Sequence, residues 1–115
     1  MLDEELATVA DLARQAGRIL LEVYASNFKV DFKAGSDPVT DADRRANDFL
    51  VRGLSQRFPL DGIVAEESEQ HGGALTQERC WFVDPLDGTR EFVARNGEFA
   101  VMLGLAIRGR ASLGV

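Results

Sequence analysis

The run Trp81-Phe82-Val83-Asp84-Pro85-Leu86-Asp87-Gly88-Thr89-Arg90-Glu91-Phe92 passes from an apolar stretch directly into acids, proline and glycine. Cys80 to Asp84 reads as a buried strand. Beyond it, Pro85 fixes a turn that would bring the Asp84 and Asp87 carboxylates, with the Leu86 carbonyl between them, to one side of the backbone. Hard divalent cations such as Mg²⁺ take oxygen donors of this kind, usually one or two carboxylates completed by water and substrate phosphate. Taken alone, Pro85 through Gly88 reads equally well as a plain β-turn.

Two further acidic groups lie upstream. Ile63-Val64-Ala65 is a short apolar strand running into Glu66-Glu67, so neighbouring strands ending in Glu66 and Asp84 would put both carboxylates at one sheet edge. Thr40-Asp41-Ala42-Asp43 reads as a helix start, with Thr40 or Asp41 as the cap and carboxylates in the first turn. Each group alone has a plainer reading, a solvated strand end for Glu66-Glu67 and a capping motif for Thr40–Asp43. Their conjunction with the Asp84–Thr89 run is what points to a site.

The rest of the chain supplies a scaffold. Leu6, Val9, Ala13, Ala16, Leu20 and Val23 form one stripe, predicting a helix over 3–25. Residues 28–33 alternate apolar and polar as a half-buried strand, and Gly35-Ser36-Asp37-Pro38 ends it with turn chemistry. The second helix carries Ala46, Phe49, Leu50 and Leu54 inward and stops at Pro59. Residues 68–79 read as a polar loop, with His71 solvated; residues 99–107 as a central strand; Arg108-Gly109-Arg110 as a turn; and 113–115 as the opening of another strand. This predicts an α+β fold with two helices on one face of a largely antiparallel sheet. An apolar, strand-like end at Val115 suggests the front part of a longer protein, because a bare sheet edge is a liability.

Composition narrows the function classes. The 115 residues carry 13 Lys and Arg against 19 Asp and Glu, a formal charge of −6, which argues against nucleic acid as a general partner. An anionic ligand would need a local device such as metal ions. Hydrophobic residues at 45% fit a globular core rather than a disordered tail. Cys80 has no partner cysteine, and it reads as a buried, inert thiol in a reducing compartment. The acidic start Met1-Leu2-Asp3-Glu4-Glu5 lacks a secretory pattern, and no stretch reaches the ~20 apolar residues of a transmembrane segment. A cytoplasmic location is expected.

Residues 81–92 resemble the signature of the inositol monophosphatase superfamily of metal-dependent, lithium-sensitive phosphatases. Five fixed positions, Asp84, Pro85, Asp87, Gly88 and Thr89, would arise by chance in about three of 100,000 chains of this length. Pro38-Val39-Thr40-Asp41-Ala42-Asp43 resembles the upstream Val-Thr-x-x-Asp element, and Ala65-Glu66-Glu67-Ser68 the Gly-Glu-Glu-Ser element, with Ala65 in place of Gly. Arg90-Glu91-Phe92 followed by Arg95-Asn96-Gly97-Glu98-Phe99 is most similar to the CysQ branch of 3′(2′),5′-bisphosphate nucleotidases.

The resemblance implies a layered α/β/α/β/α sugar-phosphatase-like fold, with residues 1–115 as its N-terminal, metal-binding part, incomplete at the C-terminus. It implies Mg²⁺ held by Glu66, Asp84 and the Leu86 carbonyl, a second Mg²⁺ shared by Asp84 and Asp87, and a water activated by the paired cations. Thr89, paired with Asp43, would orient that water for in-line attack, with Glu66 also among the catalytic groups. The Gly88 and Thr89 N–H groups, at the start of a short helix from Arg90, would receive phosphate oxygens. Asp41 falls outside this set as a cap, and Glu67 as a supporting carboxylate. Lys33 reads as a solvated strand residue, and Arg90 and Arg95 as substrate contacts or surface ion pairs. The implied reaction is removal of the 3′-phosphate of adenosine 3′,5′-bisphosphate to give AMP and phosphate. Two alternatives stand beside it: an inositol or other sugar phosphatase, and a truncated, catalytically silent metal-binding chain. The implied partner is a small phosphorylated molecule, and a homodimer is compatible with the resemblance.

Overall fold

The computed structural model describes residues 2–33, 37–65 and 77–115. Helix α1, Asp3–Tyr24, follows from its apolar stripe and from Asp3, Glu4 and Glu5 in the first turn, where carboxylates favour the positive end of the helix. It buries Thr8, Val9, Ala16, Leu20 and Val23, whereas Leu6, expected on that stripe, is 46% exposed one turn from the helix start. Helix α2, Asp41–Arg57, lies against α1 and ends just before Pro59, as the proline requires. The two helices approach closely at Gly53, where a Cβ would fall 2.8 Å from Leu12 Cδ2.

Strands β1, Val30–Lys33, and β2, Asp37–Thr40, form an antiparallel two-stranded ribbon. Asp37 and Pro38 were expected in a turn, and the strand was expected to start at Phe28. Pro38 lacks an N–H, which hid the strand, but a two-stranded ribbon has free edges that tolerate it. Phe28 packs elsewhere, and Phe32 is 67% exposed rather than half-buried.

The main sheet has the order β3-β4-β5-β6, from β3 (Gly62–Ala65), β4 (Arg79–Asp87), β5 (Ala100–Ile107) and β6 (Arg110–Gly114). The β3–β4 pairing is parallel and the others are antiparallel. The β5–β6 hairpin turns on Arg108 and Gly109, both at positive φ (51° and 77°), which matches the right-handed twist of the flanking strands. α1 and α2 cover one face: Trp81, Val83, Leu103 and Leu105 meet Val9, Ala16, Leu20, Ala46, Leu50 and Leu54 in one core. The α+β architecture, with two helices on one face of a largely antiparallel sheet, is therefore present. The opposite face carries Val64, Phe82, Met102 and Gly104 around an apolar hollow of about 420 Å³. Among the described residues no helix is long and apolar enough to cross a membrane.

The acidic run was expected to leave the sheet at Asp84. It stays in β4 through Asp87 instead, with a shift of register: Asp84 pairs with Met102 and Asp87 with Ala100. Three steps on β4 thus face two steps on β5, which is a bulge. In a regular strand, side chains three apart point to opposite faces; the one extra residue returns Asp84 and Asp87 to the same side. Pro85, which would break a ladder elsewhere, sits in the bulge, where its missing N–H is tolerated. Asp84–Asp87 is thus a kinked strand end and not a β-turn. Helix α3, Thr89–Val93, follows at once.

Candidate active site

Asp43 sits in the first turn of α2 and is 1% exposed. One carboxylate oxygen, Oδ2, accepts from the Thr40 N–H at 2.7 Å and from Thr40 Oγ1 at 2.8 Å, while the Ala42 N–H donates to Thr40 Oγ1 at 3.1 Å. This is a reciprocal capping box, so the cap is Thr40 and not Asp41. Asp41 is exposed and pairs with Arg44 at 3.4 Å. The other oxygen of Asp43, Oδ1, accepts from the Thr89 hydroxyl at 2.9 Å. One buried carboxylate therefore fixes the start of α2 and tethers the start of α3, 46 residues away.

Thr89 opens into a cavity of about 270 Å³ whose lining includes Asp84, Leu86, Asp87 and Gly88 from the bulged strand end, and Lys33 from β1. Asp37, Pro38, Arg90 and Glu91 complete the wall. Of the residues expected at a site, Asp84, Leu86, Asp87, Gly88 and Thr89 thus share one cavity, with Asp43 buried behind Thr89. Glu66, Glu67 and His71 lie outside the described residues. The β3–β4 register ends with Ala65 opposite Val83, the residues immediately before Glu66 and Asp84 in the sequence.

The donor chemistry here suits a hard cation: the Asp84 and Asp87 carboxylates and the Leu86 carbonyl are all oxygen, and among the described residues no thiolate or imidazole lies on the wall. Among the described residues no three acidic, histidine or cysteine side chains come together as a complete metal site. These described residues could supply part of a donor set for a hard divalent cation, which takes its remaining oxygens from other groups or water.

Gly88 takes φ 92°, and a Cβ there would stand 2.8 Å from the Glu98 carbonyl oxygen and 3.4 Å from Phe99 Cα. Only glycine lets the backbone pass between the cavity and the segment that leads into β5. Lys33, read as a solvated strand residue, lines the cavity; its register partner is Asp37, also on the wall. Pairing across a ribbon that the sequence pattern did not disclose is what puts it there. Arg90 reaches Asp37 at 3.5 Å, tying α3 to the ribbon. Among the described residues Arg95 neither lines this cavity nor forms an ion pair: its guanidinium donates to the Tyr24 and Ser26 carbonyls at 2.7 and 2.8 Å. The Thr40 contribution was missed as a site feature, although Thr-x-x-Asp is legible as a capping box.

Comparison with known proteins gives consistent relatives. A model described as the inositol monophosphatase family matches residues 1–115. The chain is 42% identical over 119 residues to the 3′(2′),5′-bisphosphate nucleotidase CysQ of Escherichia coli (strain K12), covering 100% of this chain and 46% of that protein. It is 36% identical to a histidinol-phosphatase of Chlorobaculum parvum, covering 96% of this chain and 42% of the relative. Among solved structures, the extragenic suppressor protein suhB from Bartonella henselae superimposes with a TM-score of 0.90 at 33% identity, over 98% of this chain and 44% of that one. The chain spans less than half the length of each of these relatives.

Proposed function

This chain belongs to the inositol monophosphatase family, and we propose from that premise that the protein is a Mg²⁺-dependent phosphomonoesterase acting on a small phosphorylated molecule. The favoured substrate is adenosine 3′,5′-bisphosphate, cleaved to AMP and phosphate, and residues 1–115 are the N-terminal, metal-binding part of the larger domain that does it. The single observation that carries the reading is the Thr89 hydroxyl, donated to buried Asp43 at 2.9 Å, facing the cavity of Asp84, Leu86 and Asp87.

A hydroxyl has one proton. With that proton committed to Asp43, Thr89 presents only lone pairs to the cavity, so a water bound there must donate to it. Thr89 and Asp43 therefore orient a water with its own lone pair directed elsewhere, toward a phosphorus atom in line with the ester bond. Water adds to phosphorus, the P–O ester bond breaks, and the ribose oxygen leaves as a hydroxyl, its proton balanced by the one that the attacking water gives up. Asp84, Asp87 and the Leu86 carbonyl would hold Mg²⁺, with Glu66 as the third carboxylate. Bound there, the cation supplies charge neutralisation and a lowered pKa for coordinated water. The Gly88 and Thr89 N–H groups belong to residues that line the same cavity and would donate to phosphate oxygens, on a backbone that Gly88 keeps open to close approach.

The nucleotide is favoured over inositol phosphate because the CysQ relative matches over the whole chain at 42% identity. A sugar phosphatase with the same machinery is the second reading, favoured by the family's own description as the inositol monophosphatase family. Phosphate release from adenosine 3′,5′-bisphosphate and from inositol 1-phosphate, compared in Mg²⁺ for the whole protein, tests this. Faster release from the nucleotide is expected; equal or reversed rates would retire that substrate. Asp84→Asn should abolish turnover with the fold intact by circular dichroism, and near-normal turnover in that variant would contradict the metal assignment.

A further inference from the structure

Arg95 lies two residues beyond α3 with φ 57°, a backbone state that favours glycine. Its guanidinium donates to the Tyr24 and Ser26 carbonyls at 2.7 and 2.8 Å. These are carbonyls at the C-terminal end of α1, where orphan acceptors collect and where α1 has no basic residue in its last turn. The same guanidinium lies over the Phe28 ring at 4.7 Å and the Tyr24 ring at 5.5 Å. Beneath it Phe92, fully buried, packs against Tyr24, Phe28 and Phe99 with centroids 4.9–5.0 Å apart. A helix of five residues has no intrinsic stability. α3 is therefore held by what surrounds it.

The hold is transmitted through hydrogen bonds. The Arg95 N–H donates to the Phe92 carbonyl at 3.1 Å, and the Phe92 N–H to the Gly88 carbonyl at 2.8 Å. Gly88 carries Thr89 next in the chain. We propose that Arg95 is a positioning residue: by clamping the end of α3 to the end of α1 it fixes Gly88 and holds the Thr89 hydroxyl over Asp43. What that position is for rests on the phosphatase reading; the clamp itself does not.

Amide hydrogen exchange in the whole protein tests the clamp. Arg95→Gly relieves the positive φ, so if Arg95 matters only through its backbone, Phe92 N–H protection holds or rises. The clamp requires it to fall, by about tenfold for two lost charge-assisted hydrogen bonds, with the Leu105 amide unchanged. Arg95→Lys, which retains the charge and can reach a carbonyl, should recover part of it. Unchanged Phe92 protection in Arg95→Gly, or an equal drop at Leu105, overturns the proposal. In phosphate release the same variant should lower kcat about tenfold with KM within about twofold; a change in KM alone overturns it too. A wild-type protein that hydrolyses no phosphomonoester would sink the phosphatase reading, and the exchange result would still judge the clamp.

Discussion

At Gly88 two demands coincide: φ 92° and a Glu98 carbonyl oxygen 2.8 Å from where a Cβ would stand. The clash is with backbone, which cannot swing aside as a long side chain would. Gly88→Ala should therefore destabilise the fold by about 1–3 kcal/mol in urea unfolding, and displace Thr89 from Asp43. Thr89 and Asp43 divide differently. Asp43 accepts three hydrogen bonds and caps α2, so its loss confounds stability with chemistry. Thr89→Val is the cleaner change: it removes one hydroxyl and leaves Asp43 Oδ1 short of a donor, at about 1–3 kcal/mol. Phosphate release should fall by at least about a hundredfold, whereas Thr89→Ser, which can still donate to Asp43 and accept from water, should retain most of it. Equal rates for the Val and Ser variants would show that the hydroxyl has no part in turnover. Cys80 stays outside all of this: burial, with the Asp61 carboxylate adding to it, pushes its thiol above the ordinary 9.0, so it is protonated and inert at neutral pH.

Among the elements, α1 is fastened at both ends by arginines from distant parts of the chain. At its start, Arg79 of β4 bonds Glu5 at 3.0 Å and both oxygens of Asp61 at 3.1 Å, and Asp61 also accepts from Trp81 Nε1 at 2.9 Å. At its finish, Arg95 takes the last carbonyls. A hydrogen bond from its own backbone N–H, and then the Arg79 guanidinium, hold the Glu5 carboxyl below its ordinary 4.5. A depressed carboxyl pKa stabilises the folded state above the unfolded value, and that contribution disappears as pH falls through the folded one. Urea midpoints should therefore decline on acidification below about pH 5, and Glu5→Gln should flatten part of that decline while lowering stability at pH 7. An identical acid limb in the variant would show that Glu5 contributes nothing. The ribbon β1–β2 and the bulge in β4 were the elements hardest to foresee. Both contain proline, which sequence patterns read as a strand breaker, and both place it where no ladder N–H is required.

At the scale of the whole molecule, the described residues put helices on one side of the sheet only. Phe82 and Met102, on the face away from the helices, are 42% and 50% exposed beside the hollow of about 420 Å³. Contiguous exposed apolar surface of this kind binds partners or dye. Residues 1–115 should bind 1-anilinonaphthalene-8-sulfonate, and Phe82→Ser with Met102→Ser should remove most of the fluorescence with circular dichroism unchanged. Fluorescence that survives the double change would place the dye elsewhere. The helix stripes, the strand runs at 63–65 and 99–107, the turn at Arg108-Gly109 and the Asp84–Thr89 run were all legible along the chain, because each rests on local periodicity or local backbone chemistry. The linear order could not disclose which distant groups meet. Asp43 under Thr89, Lys33 on the cavity wall and Arg95 on the carbonyls of α1 depend on long-range packing. The side on which Asp87 emerges depends on a register shift against β5, and register is decided between strands rather than within one.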